Sequence, residues 1–418
     1  MKRRRALSRI GVSAIALTAG VPSISKAGPP SKGGPPADIV VPDDYSTIQA
    51  AVDAATAGET VLVDGGTYRE QVLINKDLTL KGQDGATVEA PDGLTTYTIV
   101  ESLSTWAPMV FAYGGSISSG EVSGSGTVAV DISGLSFDGR GDTGQSGRKT
   151  AVLYRNVGGA TESAITDNSV TDLGTPGASI GIVAYGDSDV RVDNNTLAGF
   201  GRGGIGANGD GGDHPSPNMV VRNNEIDSES DPGGSAPNGV QIGFGATGQV
   251  RENTIKNCRY ADDIDGLFQA SGILLFESDG VKVQGNTLEN NDVAIAASAW
   301  GWFLGSANNH KVVRNDITDA LIGVNLRATA WDQDGGLASF TNQDPSVNNN
   351  KVVNNDLADP EDGPTGEIGV SIESNDRGDD DEYEPAAKNN KVIRNTIEGF
   401  DEQISDEGTD TRISAIEP

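Results

Sequence analysis

The chain has 418 residues, with 60 acidic and 30 basic side chains and a formal net charge of −30. A surface this acidic repels nucleic acid and anionic membranes, which argues against both as partners. One cysteine, two histidines and three methionines argue against a disulfide framework and a zinc or copper centre. Molar salt screens charge repulsion to within ~3 Å. The composition therefore predicts a halophilic source, with an ordinary acidic extracellular protein as the alternative.

Residues 1–27 have the features of an export signal peptide. They hold six basic residues and no acid, and three consecutive arginines precede an apolar run at 10–19 that is too short to span a bilayer. The letters SKA at 25–27 place small residues at −3 and −1 of a cleavage point. RRAL at 4–7 resembles a twin-arginine signal, although an Arg precedes it where Ser or Thr is usual. We expect a secreted or cell-surface protein with no transmembrane segment, whose mature chain carries 24 basic and 60 acidic residues, a net charge of −36.

The domain boundaries follow from composition. Residues 28–38 form a Pro/Gly linker, and residues 39–418 form one domain. A short helix is predicted at about 46–56, where Ser46 and Gln49 have capping-box spacing and Gly58 ends the helix. Such a helix covers the open apolar end of a repeat structure.

A phrase of the form V/I-x-x-N-x-V/I/L recurs along the domain. Asn is tolerant of positive φ, so we place each of these residues at a corner between two strands. Stacked corners bring their amides to about 4.8 Å from one another, where they can hydrogen-bond in a ladder. The eight copies have their Asn at positions 168, 195, 224, 253, 286, 315, 355 and 395.

A second phrase, usually G-V/I-x-I/L, follows each Asn and gives a minimal repeat of about 20 residues. That length suffices for three short strands at ~3.3 Å per residue and is too short for a propeller blade. No copy contains an amphipathic helix, which argues against a leucine-rich horseshoe. The pattern predicts an all-β coil of parallel strands with roughly ten rungs.

Two stretches, STIQAAVDAATAGETVLVDGGTYREQVLINKDLTLKG and VDISGLSFDG, resemble the opening of right-handed parallel β-helix proteins of the pectin lyase-like superfamily. The NN-x-I/L repeats resemble its NosD-like, carbohydrate-binding and sugar-hydrolase branch, and the acidic composition favours a haloarchaeal member. The resemblance covers about 39–405. It implies a right-handed parallel β-helix and a polysaccharide partner, but it does not fix a chemistry.

The signature phrases of three enzyme classes in this superfamily are incomplete here. DGGTYRE resembles part of the pectin methylesterase pattern, but the Q-D-T-L and D-F-I-F-G phrases are missing. The G-H-G and R-I-K phrases of polygalacturonases and the W-x-D-H phrase of pectate lyases are also missing. Whether the chain is an enzyme stays open; if it is one, a polysaccharide lyase or glycoside hydrolase type is expected.

The superfamily usually binds substrate in a groove on the outer face of one sheet, which we place on the G-V-x-I strands. Positions one and three residues after the inward Val or Ile point outward. They include the candidate substrate-binding residues Tyr185, Gln241 and Asn325. The same count places Arg327 and Glu373 one rung apart, as candidate carboxylate-binding and acid/base residues. An exposed salt bridge without function is the alternative.

The long loops beside these strands carry further candidates. Trp300, Trp302 and Trp331 are expected to stack on sugar rings, or alternatively to pack the loops. Three carboxylates in the loop at 256–271 can supply oxygen ligands to Ca²⁺, although a solvated acidic loop is the alternative. This candidate metal site consists of Asp262, Asp263 and Asp265.

The first functional hypothesis is a secreted protein that binds extracellular polysaccharide; whether it also cleaves or modifies the polysaccharide stays open. The alternative is a non-catalytic structural or adhesive surface protein. A NosD-like accessory role in copper-site assembly is less favoured, because His, Met and Cys are scarce. The sequence does not specify the polysaccharide or the oligomeric state.

Overall fold

The computed structural model describes residues 39–101, 104–141, 147–158, 161–174, 179–212, 214–229, 236–260, 270–301, 304–330, 344–359, 368–376 and 384–417. Residues 38–418 form one compact unit. Its strands pair almost entirely in parallel, each with the strand one turn later in the chain. The predicted right-handed parallel β-helix is confirmed.

Three sheets run side by side along the helix. The first has 13 strands, against the roughly ten rungs predicted. Its outward positions alternate with inward Val, Ile and Leu, which is the period of a half-buried strand. In order, its strands are Ile39–Val41, Glu59–Val63, Leu78–Gly82, Val130–Ser133, Ser163–Thr166, Asp189–Asp193, Asn218–Arg222, Thr247–Arg251, Lys282–Gln284, Lys311–Val313, Lys351–Val353, Lys391–Ile393 and Arg412–Ser414.

The second sheet consists of short strands that follow the corner after the first sheet. Two long strands, Thr287–Ala299 and Asp316–Ala330, begin in this sheet and bend into the third. The other members are Thr67–Arg69, Thr87–Glu89, Ser136–Asp138, Ser169–Thr171, Thr196–Ala198, Glu225–Asp227, Thr254–Lys256, Asp356–Ala358 and Thr396–Glu398.

The third sheet contains the G-V-x-I strands. Three further strands, Tyr97–Ile99, Ser116–Ser118 and Glu121–Ser123, pair with one another and with the N-terminal end of this sheet. Besides the two long strands, the third sheet consists of Val72–Ile74, Ser104–Tyr113, Arg148–Arg155, Ile180–Tyr185, Gly203–Asn208, Asn238–Gly243, Ser271–Phe276, Ile368–Asp376 and Glu402–Asp406.

The predicted asparagine ladder is confirmed. Seven amide bonds of 2.9–3.0 Å link the eight ladder Asn, each from the Nδ2 of one to the Oδ1 of the next. The backbone N–H of the donating Asn bonds to the same oxygen, for example from Asn286 to Asn315 at 3.0 Å. The ladder is buried, so these bonds satisfy polar groups that would otherwise be costly to remove from water.

The positive φ at these corners was predicted for the ladder Asn, and that prediction was wrong. The preceding residue adopts it in every copy, with φ between 54° and 65° at residues as different as Glu252 and Arg314. The ladder Asn instead turns its side chain inward, where the amide also bonds to backbone carbonyls. Because these bonds hold the corner, the strained position accepts residues that rarely adopt positive φ.

The glycine of the G-V-x-I phrase is required by close packing between rungs. A Cβ at Gly239 would lie 2.4 Å from the Cγ2 of Ile255 and 2.6 Å from the carbonyl oxygen of Gly272. Both distances are shorter than a carbon atom can adopt without displacing its neighbours. The glycine therefore lets the second and third sheets meet tightly around the core.

The N-terminal helix spans Ile48–Ala54. Its N-cap is Thr47 and not the predicted Ser46, and the Thr47 hydroxyl accepts the backbone N–H of Ala50 at 3.2 Å. The carboxylate of Glu70 accepts the N–H groups of Ile48 and Gln49 at 2.8 and 2.9 Å, which leaves no role for a capping box. The buried face of this helix packs on the first strands of the domain.

Candidate functional site

The outer face of the third sheet carries a cleft of about 190 Å³. Four successive rungs form its floor, starting at Asn238–Gly243 and ending on Asp316–Ala330. One outward column of this floor reads Gln241, Leu274, Ala296 and Asn325 in register. The cleft therefore lies on the strands and on the face where the sequence placed the groove.

The rungs before the cleft are covered, which explains where it begins. Rings from the sheet's outer face, including Phe111 and Tyr185, pack beneath Tyr97 and Val122 of the short additional strands. The Tyr185 side chain is 4% exposed, and its ring centroid lies 5.7 Å from that of Trp106. Tyr185 therefore does not line the cleft. Because its side chain is buried, it is not accessible for the substrate contact predicted from the sequence.

The floor and one wall of the cleft are apolar. Leu274, Val293 and Ala296 pack together on the outer face of the sheet. Phe276 lies 5.2 Å from Trp300 in an edge-to-face arrangement and 5.1 Å from Phe244. Aromatic rings and a flat aliphatic floor are suited to the apolar faces of sugar rings.

The far end of the cleft is polar and charged. Arg327 and Glu373 occupy opposite positions on neighbouring strands, as predicted, with 3.5 Å between Nε and Oε2. Arg327 Nε also donates to the Thr329 hydroxyl at 3.0 Å. Glu373 Oε1 accepts the Asn325 amide and the Ser371 hydroxyl, both at 3.0 Å. The arrangement pairs the guanidinium group that lines the cleft with a carboxylate on the next strand.

Asn325 has an acceptor atom that no described residue satisfies. Its Nδ2 donates to Glu373, so its Oδ1 is the remaining amide atom. This oxygen is buried and, among the described residues, meets no hydrogen-bond donor, although Asn325 lines the cleft. A buried polar atom without a partner is costly. A hydroxyl group of a bound ligand would satisfy it.

Sequence reasoning missed Arg202, which lies at the opposite end of the cleft. It directly precedes the strand Gly203–Asn208, and its guanidinium donates to the carbonyl of Ala236. Burial, together with repulsion from Arg148, lowers the pKa of the Arg202 side chain, although an arginine stays charged at neutral pH. Arg202 and Arg327 are four rungs apart, about 19 Å along the axis at 4.8 Å per rung, and they lie at opposite ends of their strands.

Glu277 was also missed, because its partners come from a distant turn. Its carboxylate is fully buried and accepts the backbone N–H groups of Trp300 and Leu304, both at 3.1 Å. These bonds fix the backbone that presents Trp300 to the cleft. The residue directly after the strand has positive φ in several rungs, at Asn156, Gly186, Phe244 and Glu277, so the sequence carries no mark that sets Glu277 apart except its charge.

The structure therefore brings four of the predicted residues to one cleft, namely Gln241, Trp300, Asn325 and Arg327, with Glu373 paired to Arg327 from the next strand. One rung departs from the sequence pattern, in which Val293 is the first apolar residue of the second phrase. Ile295, and not Val293, pairs with Ile273, so Ala296 occupies the outward column. The phrase lacks its glycine in this rung, which removed the marker for the register. Trp302, Trp331, Asp262, Asp263 and Asp265 lie outside the described residues.

Two observations bear on metals and membranes. Within the described ranges, no group of three or more His, Cys, Asp or Glu side chains is arranged to hold a metal ion. The calcium site predicted in the loop at 256–271 falls mainly on residues outside those ranges. Over the same described ranges, there is no helix with the length and hydrophobicity to span a bilayer.

Comparison with known families agrees with this architecture. The family model for the right handed beta helix region matches residues 150–411. The chain belongs to this family. Its fold is that of the pectin lyase-like superfamily, as the sequence resemblance implied. No curated protein is a significant match to the sequence.

Solved structures of low identity share this β-helix fold. A family 28 exopolygalacturonase from Yersinia enterocolitica is 14% identical, with a TM-score of 0.56, over 91% of this chain and 78% of that one. PfbA, a surface adhesin of Streptococcus pneumoniae, is 12% identical, with a TM-score of 0.55, over 91% of both chains. At these identities the likeness establishes the fold of this β-helix protein and not its activity.

Proposed function

We propose that this β-helix protein binds an acidic polysaccharide in the cleft on its third sheet. The observation that carries the proposal is the polar end of the cleft, where the Arg327 guanidinium lies beside the unsatisfied Oδ1 of Asn325. The guanidinium suits a uronate carboxylate, and the amide oxygen suits a neighbouring sugar hydroxyl. Arg202 adds a second cation four rungs away, and Trp300 and Phe276 supply stacking surfaces between the two.

Binding is better supported than cleavage. Most glycoside hydrolases use two carboxylates that flank the scissile bond. Among the described residues that line the cleft there is no Asp or Glu, and Glu373 adjoins the cleft through its ion pair with Arg327. Lyase-type catalysis is the second candidate, with Arg327 neutralising the uronate and Glu373 exchanging a proton. The 3.5 Å approach of these two groups is the observation that favours it.

We place the protein outside the cell or on its surface, where acidic polysaccharides occur and where the export signal predicted in residues 1–27 would direct it. A purely adhesive surface protein of the same fold is compatible with a binding cleft. A polysaccharide-modifying protein and a purely adhesive one differ in whether a soluble oligosaccharide binds in the cleft and whether the bound oligosaccharide is chemically altered.

Calorimetric titration of the mature chain tests this function, with oligogalacturonate and oligomannuronate as acidic ligands and a neutral glucan oligosaccharide as the matched control. We expect the acidic ligands to bind and the neutral ligand to bind at least tenfold more weakly. Equal affinity for both, or no binding of either, would refute the proposal. Parallel incubations with Ca²⁺ and with a chelator, assayed for new reducing ends and unsaturated sugars, separate binding from hydrolase or lyase activity.

A further inference from the structure

The outer face of the first sheet carries a line of five cations, called here the basic column. The five side chains occupy the same register position on consecutive strands, and all are exposed. Neighbours are one strand spacing apart, so the column is about 19 Å long at 4.8 Å per rung. Its members are Lys282, Lys311, Lys351, Lys391 and Arg412.

This column is unexpected in a chain with twice as many acidic as basic residues. Like charges directly opposite on neighbouring strands destabilise a sheet. Acidic partners would relieve that repulsion, but no described Asp or Glu lies within ion-pair distance of these five cations. The arrangement is therefore suited to an external anion with charges at a similar spacing.

The neighbouring columns define the kind of anion. On one side, the exposed amides of Asn309, Asn349 and Asn389 follow the rungs in step with the lysines and line a groove of about 640 Å³ with them. The carboxylate of Asp410 ends this line beside Arg412, so the anion-binding part of the groove is the stretch along the lysines. On the other side lie the half-buried aliphatic side chains of Val313, Val353 and Ile393. A linear ligand on this face therefore meets hydrogen-bonding groups, cations and an apolar strip, in that order.

We propose that the basic column is a second polysaccharide-binding surface, which holds a linear polyuronate parallel to the axis of the β-helix. A polyuronate has one carboxylate per sugar, hydroxyl groups along one edge and apolar C–H faces, and an extended sugar advances by close to one rung. Single-stranded nucleic acid fits less well, because these three columns contain no aromatic ring for base stacking. The surface lies on a different sheet from the cleft and does not depend on it.

The test uses the mature chain carrying Arg327→Ala, so that binding through the cleft is weakened. Lys351→Gln/Lys391→Gln removes two cations from the centre of the column. Lys81→Gln/Lys256→Gln removes the same charge from lysines elsewhere and is the matched control. The probes are polygalacturonate, dextran as a neutral polymer, and polyglutamate and single-stranded DNA as other polyanions, with thermal melting as the check on folding.

We expect the Arg327→Ala chain to retain polygalacturonate binding and the Lys351→Gln/Lys391→Gln variant to lose at least tenfold in affinity. The salt dependence of that affinity should also fall by roughly one to two in log–log slope, since fewer counter-ions are released. The control should bind as before. An absence of polygalacturonate binding, an equal loss in the control, or equally tight binding of polyglutamate or DNA would overturn the proposal. Binding of short oligouronates to the Arg327-containing chain reports separately on the cleft.

Discussion

Arg327 and Glu373 lie directly opposite each other on neighbouring strands of the third sheet, and 3.5 Å separates Nε from Oε2. The pair is joined to Asn325, whose amide donates to the same carboxylate at 3.0 Å. Arg327 and Asn325 thus share one carboxylate partner while both line the cleft. Glu373 acts as a positioning residue for two candidate ligand-binding groups.

Replacement of Arg327 by Ala tests this relationship. We expect at least a tenfold loss in affinity for acidic oligosaccharides, because a charge-assisted hydrogen bond is worth about 1.5–3 kcal/mol. Arg327 is buried and its removal takes one partner from the partly buried Glu373 carboxylate, so we expect the free energy of unfolding to fall by about 1–3 kcal/mol. Titration calorimetry and thermal melting measure the two effects. The control is Arg251→Ala, which removes an arginine paired with the exposed Glu252. Unchanged affinity in Arg327→Ala would exclude this site.

Replacement of Asn315 by Leu tests the asparagine ladder. The Asn315 Oδ1 accepts both the backbone and the side-chain N–H of Asn286, at 3.0 and 2.9 Å. Leucine leaves these buried donors unsatisfied, so we expect the free energy of unfolding to fall by about 3 kcal/mol or more. The control is Asp316→Leu, at the exposed position directly after the ladder. Chemical denaturation that shows equal stability of Asn315→Leu and the parent chain would contradict the role of the ladder.

His310 predicts a pH dependence of stability. It occupies the first position of a second buried ladder, with Asn350 and Asn390 beneath it, and its Nδ1 accepts the Val281 N–H at 3.1 Å. Burial lowers the pKa of His310 to about 4, against about 6.5 when unfolded. The unfolded chain therefore takes up the proton first as pH falls. Stability from the neutral ring is complete above pH ~6.5 and declines by about 3 kcal/mol between pH 6.5 and 4.

The matched variant for this prediction is His310→Asn, because asparagine fills the same position in the next two rungs. We expect the variant to lose the part of the pH dependence that falls between pH 6.5 and 4, measured as the difference in unfolding free energy from the parent chain. A difference that stays constant over this range would show that His310 titrates alike in both states.

The net charge predicts a dependence on salt. A mature chain of net charge −36 repels itself, and counter-ions relieve that repulsion. We expect a higher melting temperature in molar KCl than in dilute buffer. A neutral cosolute at matched osmolality controls for general exclusion effects. Equal melting temperatures in KCl and in dilute buffer would argue against the halophilic interpretation.

The sequence by itself determined the coil, its asparagine ladder and the outward columns of the third sheet. Each rung bonds chiefly to its neighbours, so a local phrase repeated along the chain carries nearly all the information that the fold requires. For the same reason, Arg327 and Glu373 could be placed side by side from the sequence, since each comes three residues after the inward Val of its rung, Val324 or Val370. The second ladder of His310, Asn350 and Asn390 could have been found likewise, since each member directly precedes a lysine and a valine.

Only the tertiary structure decided which outward residues are accessible. Tyr185 and Gln241 share an outward face in the sequence pattern, but strands between residues 97 and 123 cover the first and leave the second in the cleft. Arg202 and Glu277 acquire their roles from contacts with Ala236 and with the turn at Trp300, which no repeat encodes. Long-range packing depends on loops of variable length, and the periodicity that fixes the strands carries no information about where those loops fold.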